Sequence, residues 1–206
     1  MSSVALRCLL DTCQSDVRGD LEMPNSYPRT IDNGAGERLT FIGCRTDPDG
    51  REYLDVSSEV APGSGPPMHV HNLQTESVTV DEGRIGYAIG NGREQFVGPG
   101  ETVQFRPGEA HRFWNAAAES ARIHGWVSPP HNFEYYLTQT FDSMERTGKA
   151  PNPLDMAFLV GRYHSEFGGR PIPPLVERFV FPLMRLVGRL TGRYARYVDA
   201  PEPVAA

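Results

Sequence analysis

From Leu39 to Val127 the chain breaks into short apolar stretches, each closed by a turn signal, and this punctuation limits the fold more than any other feature. The signals are Asp47-Pro48-Asp49-Gly50, Asp81-Glu82-Gly83, Asn91-Gly92, Gly98-Pro99-Gly100 and Arg106-Pro107-Gly108. Glycine supplies the positive φ and proline the preset φ that tight turns require. The stretches between them are too short for helices, so strands are expected at 39–45, 52–60, 68–71, 76–80, 84–89, 94–97, 102–105, 111–115 and 121–127. Short strands at this spacing predict an all-β core, an antiparallel sandwich or barrel. The 21 glycines and 18 prolines of the 206 residues fit such a turn-rich architecture.

Four side chains inside this region carry chemistry. His69-Val70-His71 places two imidazoles on alternate residues, and alternate residues of a strand share one face. Glu76 follows at the start of the next expected strand, and His111 arrives from a neighbouring strand after the Pro107-Gly108 turn. Three nitrogen ligands and one carboxylate converging inside a β-structure make a metal site. Imidazole and carboxylate suit Fe, Mn, Ni, Co, Cu or Zn, and four protein ligands leave one or two positions open for a substrate or O₂. On the same period-2 argument Phe113 and Asn115 share the face of His111 and are expected to border the cavity, with Arg112 and Trp114 pointing outward. Tyr87 is a further candidate for the opposite wall. His124, His131 and His164 lack ligand spacing to any partner and are read as structural or surface residues.

Gly63-x5-His69-x-His71-x4-Glu76-x6-Gly83 resembles the first signature motif of the cupin superfamily. Gly100 through Pro107-Gly108-x2-His111-x3-Asn115 resembles the second, with Arg106 standing where a proline is usual. The resemblance covers about residues 36–128, and the chain resembles small, single-domain, quercetinase-like metal-dependent cupins. It implies a single jelly-roll β-barrel with one divalent transition metal held by His69, His71, Glu76 and His111. Glu76 would be a ligand first and, on releasing the metal, a possible general base. Cupins of this kind are commonly homodimers.

The flanks read differently. Residues 1–36 are polar and weakly periodic, an extended arm with one short strand near Thr30-Ile31. The barrel is assigned to 37–131 and a helical C-terminal extension to 132–206, packed on the barrel or on a partner subunit. In that extension 133–146 has helical periodicity with Asn132 placed to cap it, 153–167 reads as a second helix, and 174–197 as a third that Pro182 kinks or splits. The third carries Arg178, Arg185, Arg189, Arg193 and Arg196 on one side and Leu175, Phe179, Leu183, Leu186, Leu190 and Tyr194 on the other. Its apolar face is expected to pack on the parent fold or a twin subunit, in preference to a membrane surface.

Bulk properties exclude some classes. A net charge of −6 gives no electrostatic case for nucleic-acid binding. No window is long and apolar enough for a membrane span. The odd count of three cysteines, Cys8, Cys13 and Cys44, points to a reducing, cytoplasmic setting. Three functions are then expected in order. The first is a metal-dependent oxygenase acting on a small chelating phenolic, enol or diketone molecule. The second is a redox-neutral isomerase, lyase or polyketide-cyclase-like enzyme, and the third a non-catalytic small-molecule or metal-binding protein.

Overall fold

The structure, a computed structural model, describes residues 26–148, 150–169 and 176–205. Ten strands precede the helices: β1 (Arg29–Asp32), β2 (Glu37–Thr46), β3 (Glu52–Val60), β4 (His69–His71), β5 (Thr75–Glu82), β6 (Ile85–Ile89), β7 (Gln95–Val97), β8 (Thr102–Phe105), β9 (His111–Asn115) and β10 (Ala121–Ser128). They form two antiparallel sheets in a jelly-roll-like arrangement. One sheet runs β1-β2-β3-β10-β5-β8; the other runs β11-β4-β9-β6-β7, where β11 (Phe167–Gly169) comes from the C-terminal extension.

Alternation decides which side chains face inward. Along β9, His111, Phe113 and Asn115 are buried, whereas Arg112 and Trp114 lean outward with the Arg112 guanidinium over the Trp114 ring. Val60, Val78, Val80, Ile85, Phe105, Phe113 and Ile123 fill the space between the sheets. Close approach of strands fixes one glycine. A Cβ at Gly125 in β10 would sit 1.8 Å from the carbonyl oxygen of Ser77 in β5. Gly125→Ala is therefore expected to cost at least about 3 kcal/mol, read as a shift of the urea midpoint, because backbone on a central strand cannot step aside.

Three helices follow: α1 (Phe133–Thr147), α2 (Pro153–Arg162) and α3 (Phe181–Leu190), with a π-turn at Val176–Val180 and a 3₁₀ turn at Arg193–Tyr197. A second core lies between α1, α2 and the outer part of the six-stranded sheet, built on Leu39, Phe41, Leu54, Leu159, Tyr163 and Phe167. Asp155 on α2 is fully buried and joins three elements, accepting from Ser143 Oγ on α1 at 2.7 Å and from Arg193 Nε and Nη2 at 2.8 and 2.7 Å. The chain end is tied down too: Tyr163 Oη donates to the Pro201 carbonyl, and Val204 N–H to Glu166 Oε1.

Several sequence expectations need correction. The helix expected over 153–167 stops at Arg162. Phe167 instead buries its ring while Gly168-Gly169, poor helix formers, pair with β4. Asn132 does not cap α1 through its side chain. Its amide is drawn to the buried Glu166 carboxylate, Nδ2 to Oε1 at 2.6 Å, and to the Glu202 carbonyl. Donation from Nδ2 to a charged acceptor fixes the orientation of the side-chain amide.

The third expected helix is three pieces, with Pro182 in the first turn of α3 and residues 174–175 outside the described residues. Of its expected apolar face only Tyr194 packs on the described part of this chain. Arg185 donates to the Ala157 carbonyl and Arg193 to Asp155, while Phe179, Leu183, Leu186 and Leu190 are exposed. The guanidinium groups turn inward because α2 offers a carboxylate and a carbonyl to them. The Asp155 carboxylate thus holds this segment by its basic side.

The strand expected near Thr30-Ile31 is β1; residues 1–25 of the expected arm lie outside the described residues. Cys44 is disulfide-bonded, so the cysteine count no longer argues for a reducing compartment. Among the described residues no helix is long and apolar enough to cross a membrane.

Candidate metal centre

The structure brings His69, His71, Glu76 and His111 together, with one ligand atom of each lying within 4.8 Å of all the others. Local sequence explains the placement. His69 and His71 share the inward face of β4, and His69 lies directly opposite His111 across the β4–β9 pairing. Glu76 enters from the other sheet, on β5, where it is paired with Phe105 of β8. Gly108, at φ 79°, allows the Pro107-Gly108 turn to fold back so that its N–H donates to the His71 carbonyl at 2.8 Å. The turn before His111 is thereby fastened to the strand that carries the other two histidines.

The imidazoles are oriented for ligation. His69 Nδ1 lies 2.8 Å from the Pro67 carbonyl, and His111 Nδ1 lies 2.8 Å from the Glu109 carbonyl. A carbonyl only accepts, so both Nδ1 atoms carry the hydrogen and both Nε2 lone pairs face the centre. The Nε2 atoms of His69 and His71 approach to 3.0 Å, and Glu76 Oε2 lies 3.8, 3.3 and 2.9 Å from the Nε2 atoms of His69, His71 and His111. Lone pairs converging so closely repel one another unless a proton or a cation sits among them. The donor set therefore fits a divalent metal.

Aromatic rings support these ligands. Phe105 stacks on His111 with ring centres 4.0 Å apart, and Phe133 of α1 and Phe167 of β11 each lie 5.7 Å from the His71 ring. Burial would push the Glu76 carboxyl up, but the imidazoles gathered around it, His111 foremost, hold it well below the usual carboxylate range. Burial pushes His71 down. For His69 burial acts the same way, yet the Glu76 carboxylate prevails and raises it.

A cavity of about 480 Å³ opens from this cluster. Its floor carries His69, His71, Glu76 and Phe113; its far side is Tyr136, Leu137, Phe141 and Met144 of α1 and Met156 and Val160 of α2. The extension thus closes the cavity and lends a strand to the histidine-bearing edge. Phe113 lines the space. Asn115 and Tyr87, expected there, do not. Asn115 spends its amide on the Val60 and Glu119 carbonyls and on Ala117 N–H, pinning the loop after β9. The Tyr87 hydroxyl reaches outward to Gln95, and its ring edge meets Phe105 6.1 Å away. His124 pairs with Asp81 at the surface, His164 is an exposed residue bonded to Gly161, and His131 adopts a φ of 42° before α1.

Sequence reasoning missed Glu37. It lines the cavity from β2, buried in the same alternating row as Leu39 and Phe41. That period-2 row is a readable signal, hidden when the strand is expected to begin at Leu39, two residues after its actual start.

Residues 56–127 match the family model described as Cupin domain. That match supports a place in the cupin superfamily. The four clustered residues all fall inside the matched stretch. No curated protein matches the chain. Among solved structures, KdgF from Halomonas sp. is 16% identical with a TM-score of 0.44, covering 53% of this chain and 95% of that one. An RmlC-like cupin from Shewanella frigidimarina NCIMB 400 is 16% identical at 0.42, covering 51% and 86%. The polyketide cyclase RemF from Streptomyces resistomycificus is 24% identical at 0.40, covering 54% and 80%.

Proposed function

We propose that this cupin-domain protein is a metal-dependent enzyme acting on a small, largely apolar organic molecule. That molecule presents a phenolic, enol or diketone oxygen to the His69, His71, Glu76 and His111 cluster. One observation carries the reading: convergent Nε2 lone pairs and a carboxylate form one end of a largely apolar cavity of about 480 Å³. A volume of that order holds a molecule of one or two rings. Bound there, a divalent transition metal would supply a Lewis acid and, for Fe, Mn, Ni, Co or Cu, an entry for O₂.

The chain's own residues do the rest. His69, His71 and His111 hold the cation; Glu76 balances part of its charge. Phe133 and Phe167 shield the His71 side from water, and Leu137, Phe141 and Met156 accept the apolar body of the substrate. Oxygen incorporation is the first chemistry to test. Redox-neutral rearrangement is the second, favoured by a specific observation, the additional carboxylate of Glu37 in the same cavity.

The experiment is an activity screen of metal-loaded protein against phenols and β-diketones, following O₂ uptake and product together. Turnover with O₂ uptake supports the oxygenase. Turnover without it supports the redox-neutral enzyme. Tight substrate binding with no turnover under either gas phase contradicts an enzyme and leaves a binding protein.

A further inference from the structure

We infer that Glu37 is a proton-transferring catalytic residue of this cavity, and that the substrate carries an O–H, or a C–H beside a carbonyl, next to the oxygen that meets the cluster. The inference rests on the metal-enzyme reading above.

Buried carboxylates elsewhere in the molecule are well served. Glu166 accepts from Asn132 N–H, Asn132 Nδ2 and Val204 N–H, and Asp155 accepts from Ser143 and twice from Arg193. Glu76 faces three imidazoles. Glu37 is 8% exposed, and among the described residues its carboxylate meets no hydrogen-bond donor. Lacking a donor from the protein, a carboxylate that lines a cavity must find its partner in what fills that cavity. The cavity is where such a partner would sit.

Position supports the same conclusion. Glu37 belongs to the inward row of β2 and stands apart from the four-residue cluster, near enough to Glu76 of β5 and His69 of β4 to feel their charges. Its backbone is fixed on both sides, N–H to Asn33 Oδ1 and carbonyl from Asn33 N–H, each 3.1 Å. Burial first, then the Glu76 carboxylate, push its carboxyl up to about 7, with His69 opposing. A group with that value exchanges protons readily at neutral pH.

The step balances without any oxidant. A Glu37 carboxylate oxygen forms a new O–H bond as the substrate's O–H or C–H bond breaks. The electron pair stays on the substrate, either as an oxyanion or as the C=C of an enolate whose charge lies on oxygen. Returning the proton to another carbon would complete an isomerisation; leaving it on Glu37 would prepare the substrate for oxygen.

The test uses the zinc-loaded full chain, wild type and Glu37→Gln, titrated with 1-phenylbutane-1,3-dione by calorimetry at about pH 8 in two buffers of different ionisation enthalpy. The wild type is expected to release almost no proton to buffer, because Glu37 takes it. Glu37→Gln is expected to release about one proton per diketone bound. In the wild type alone, the infrared difference spectrum on diketone binding should gain a protonated-carboxyl band, a readout that stands even if the variant is insoluble. Equal proton release by both proteins, or no such band, overturns the inference while the metal centre stands. Failure of the diketone to bind zinc-loaded protein overturns the substrate class inferred here. Failure of the wild type to retain zinc contradicts the metal centre beneath it.

Discussion

Alanine at both His69 and His111 is expected to lower bound metal from about one per chain to the background of a metal-free control, with the two sheets still folded. Two of the four donors are lost. The affinity should therefore fall further than the roughly 10–100-fold that loss of an outer partner alone costs. The pair is chosen because His69 and His111 face each other across β4 and β9 and because their Nδ1 atoms are held by backbone carbonyls. Removing His111 forfeits its stacking on Phe105, so a loss of thermal stability is also expected, and circular dichroism separates that loss from unfolding. Metal content by mass spectrometry of the dialysed protein is the readout. A double variant that keeps one metal per chain would show that the convergent lone pairs are not the site.

Arg193→Ala is expected to destabilise the fold by about 3 kcal/mol, measured by urea unfolding, because it strips the main cation from a fully buried carboxylate. Arg193 is itself partly exposed, so the cost falls on Asp155, which retains Ser143 and a 3.8 Å approach from Arg196. The pH dependence follows from the direction of the Asp155 shift. Burial pushes its carboxyl up, but hydrogen bonds from Arg193 and Ser143 prevail and hold it below the usual value. A depressed carboxyl contributes its stability above the unfolded value of about 3.9 and loses it as pH falls through the folded one. The gap between wild type and Arg193→Ala should therefore stay level from neutral pH to about pH 5 and shrink below about pH 4. A gap unchanged at acid pH would mean that packing of the arginine stem, not the ion pair, supplies the difference.

The β-core and the four clustered side chains were legible because both rest on short-range rules. Turn chemistry at Gly50, Gly83, Gly100 and Gly108 marks where strands end, and each of these glycines adopts a positive φ. Alternation then puts His69 with His71, and His111 with Phe113, on one face. What alternation cannot weigh is competition for a polar group. Asn115 shares the face of His111, yet three nearby backbone groups claim its amide before it can reach the cavity. Asn132 is diverted from its helix by Glu166, a residue 34 positions away. The 153–167 stretch has helical periodicity to its end, but pairing with β4 claims Phe167–Gly169. Arg185 of α3 turns inward to the Ala157 carbonyl and Arg193, after α3, to Asp155, while Leu183, Leu186 and Leu190 are left exposed. Apart from the Glu119 and Ala117 contacts of Asn115, the deciding partners are remote in sequence, and periodicity carries no record of any of them. Glu37 differs: its signal was local, and only the chosen strand boundary concealed it.

A metal held by the four side chains of the cluster would be located by anomalous diffraction from crystals of the metal-loaded protein. One strong peak per chain is expected, within about 2.0–2.2 Å of the Nε2 atoms of His69, His71 and His111 and of a Glu76 carboxylate oxygen. A peak elsewhere on the molecule, or none between β4, β5 and β9 in protein shown to contain metal, would contradict it.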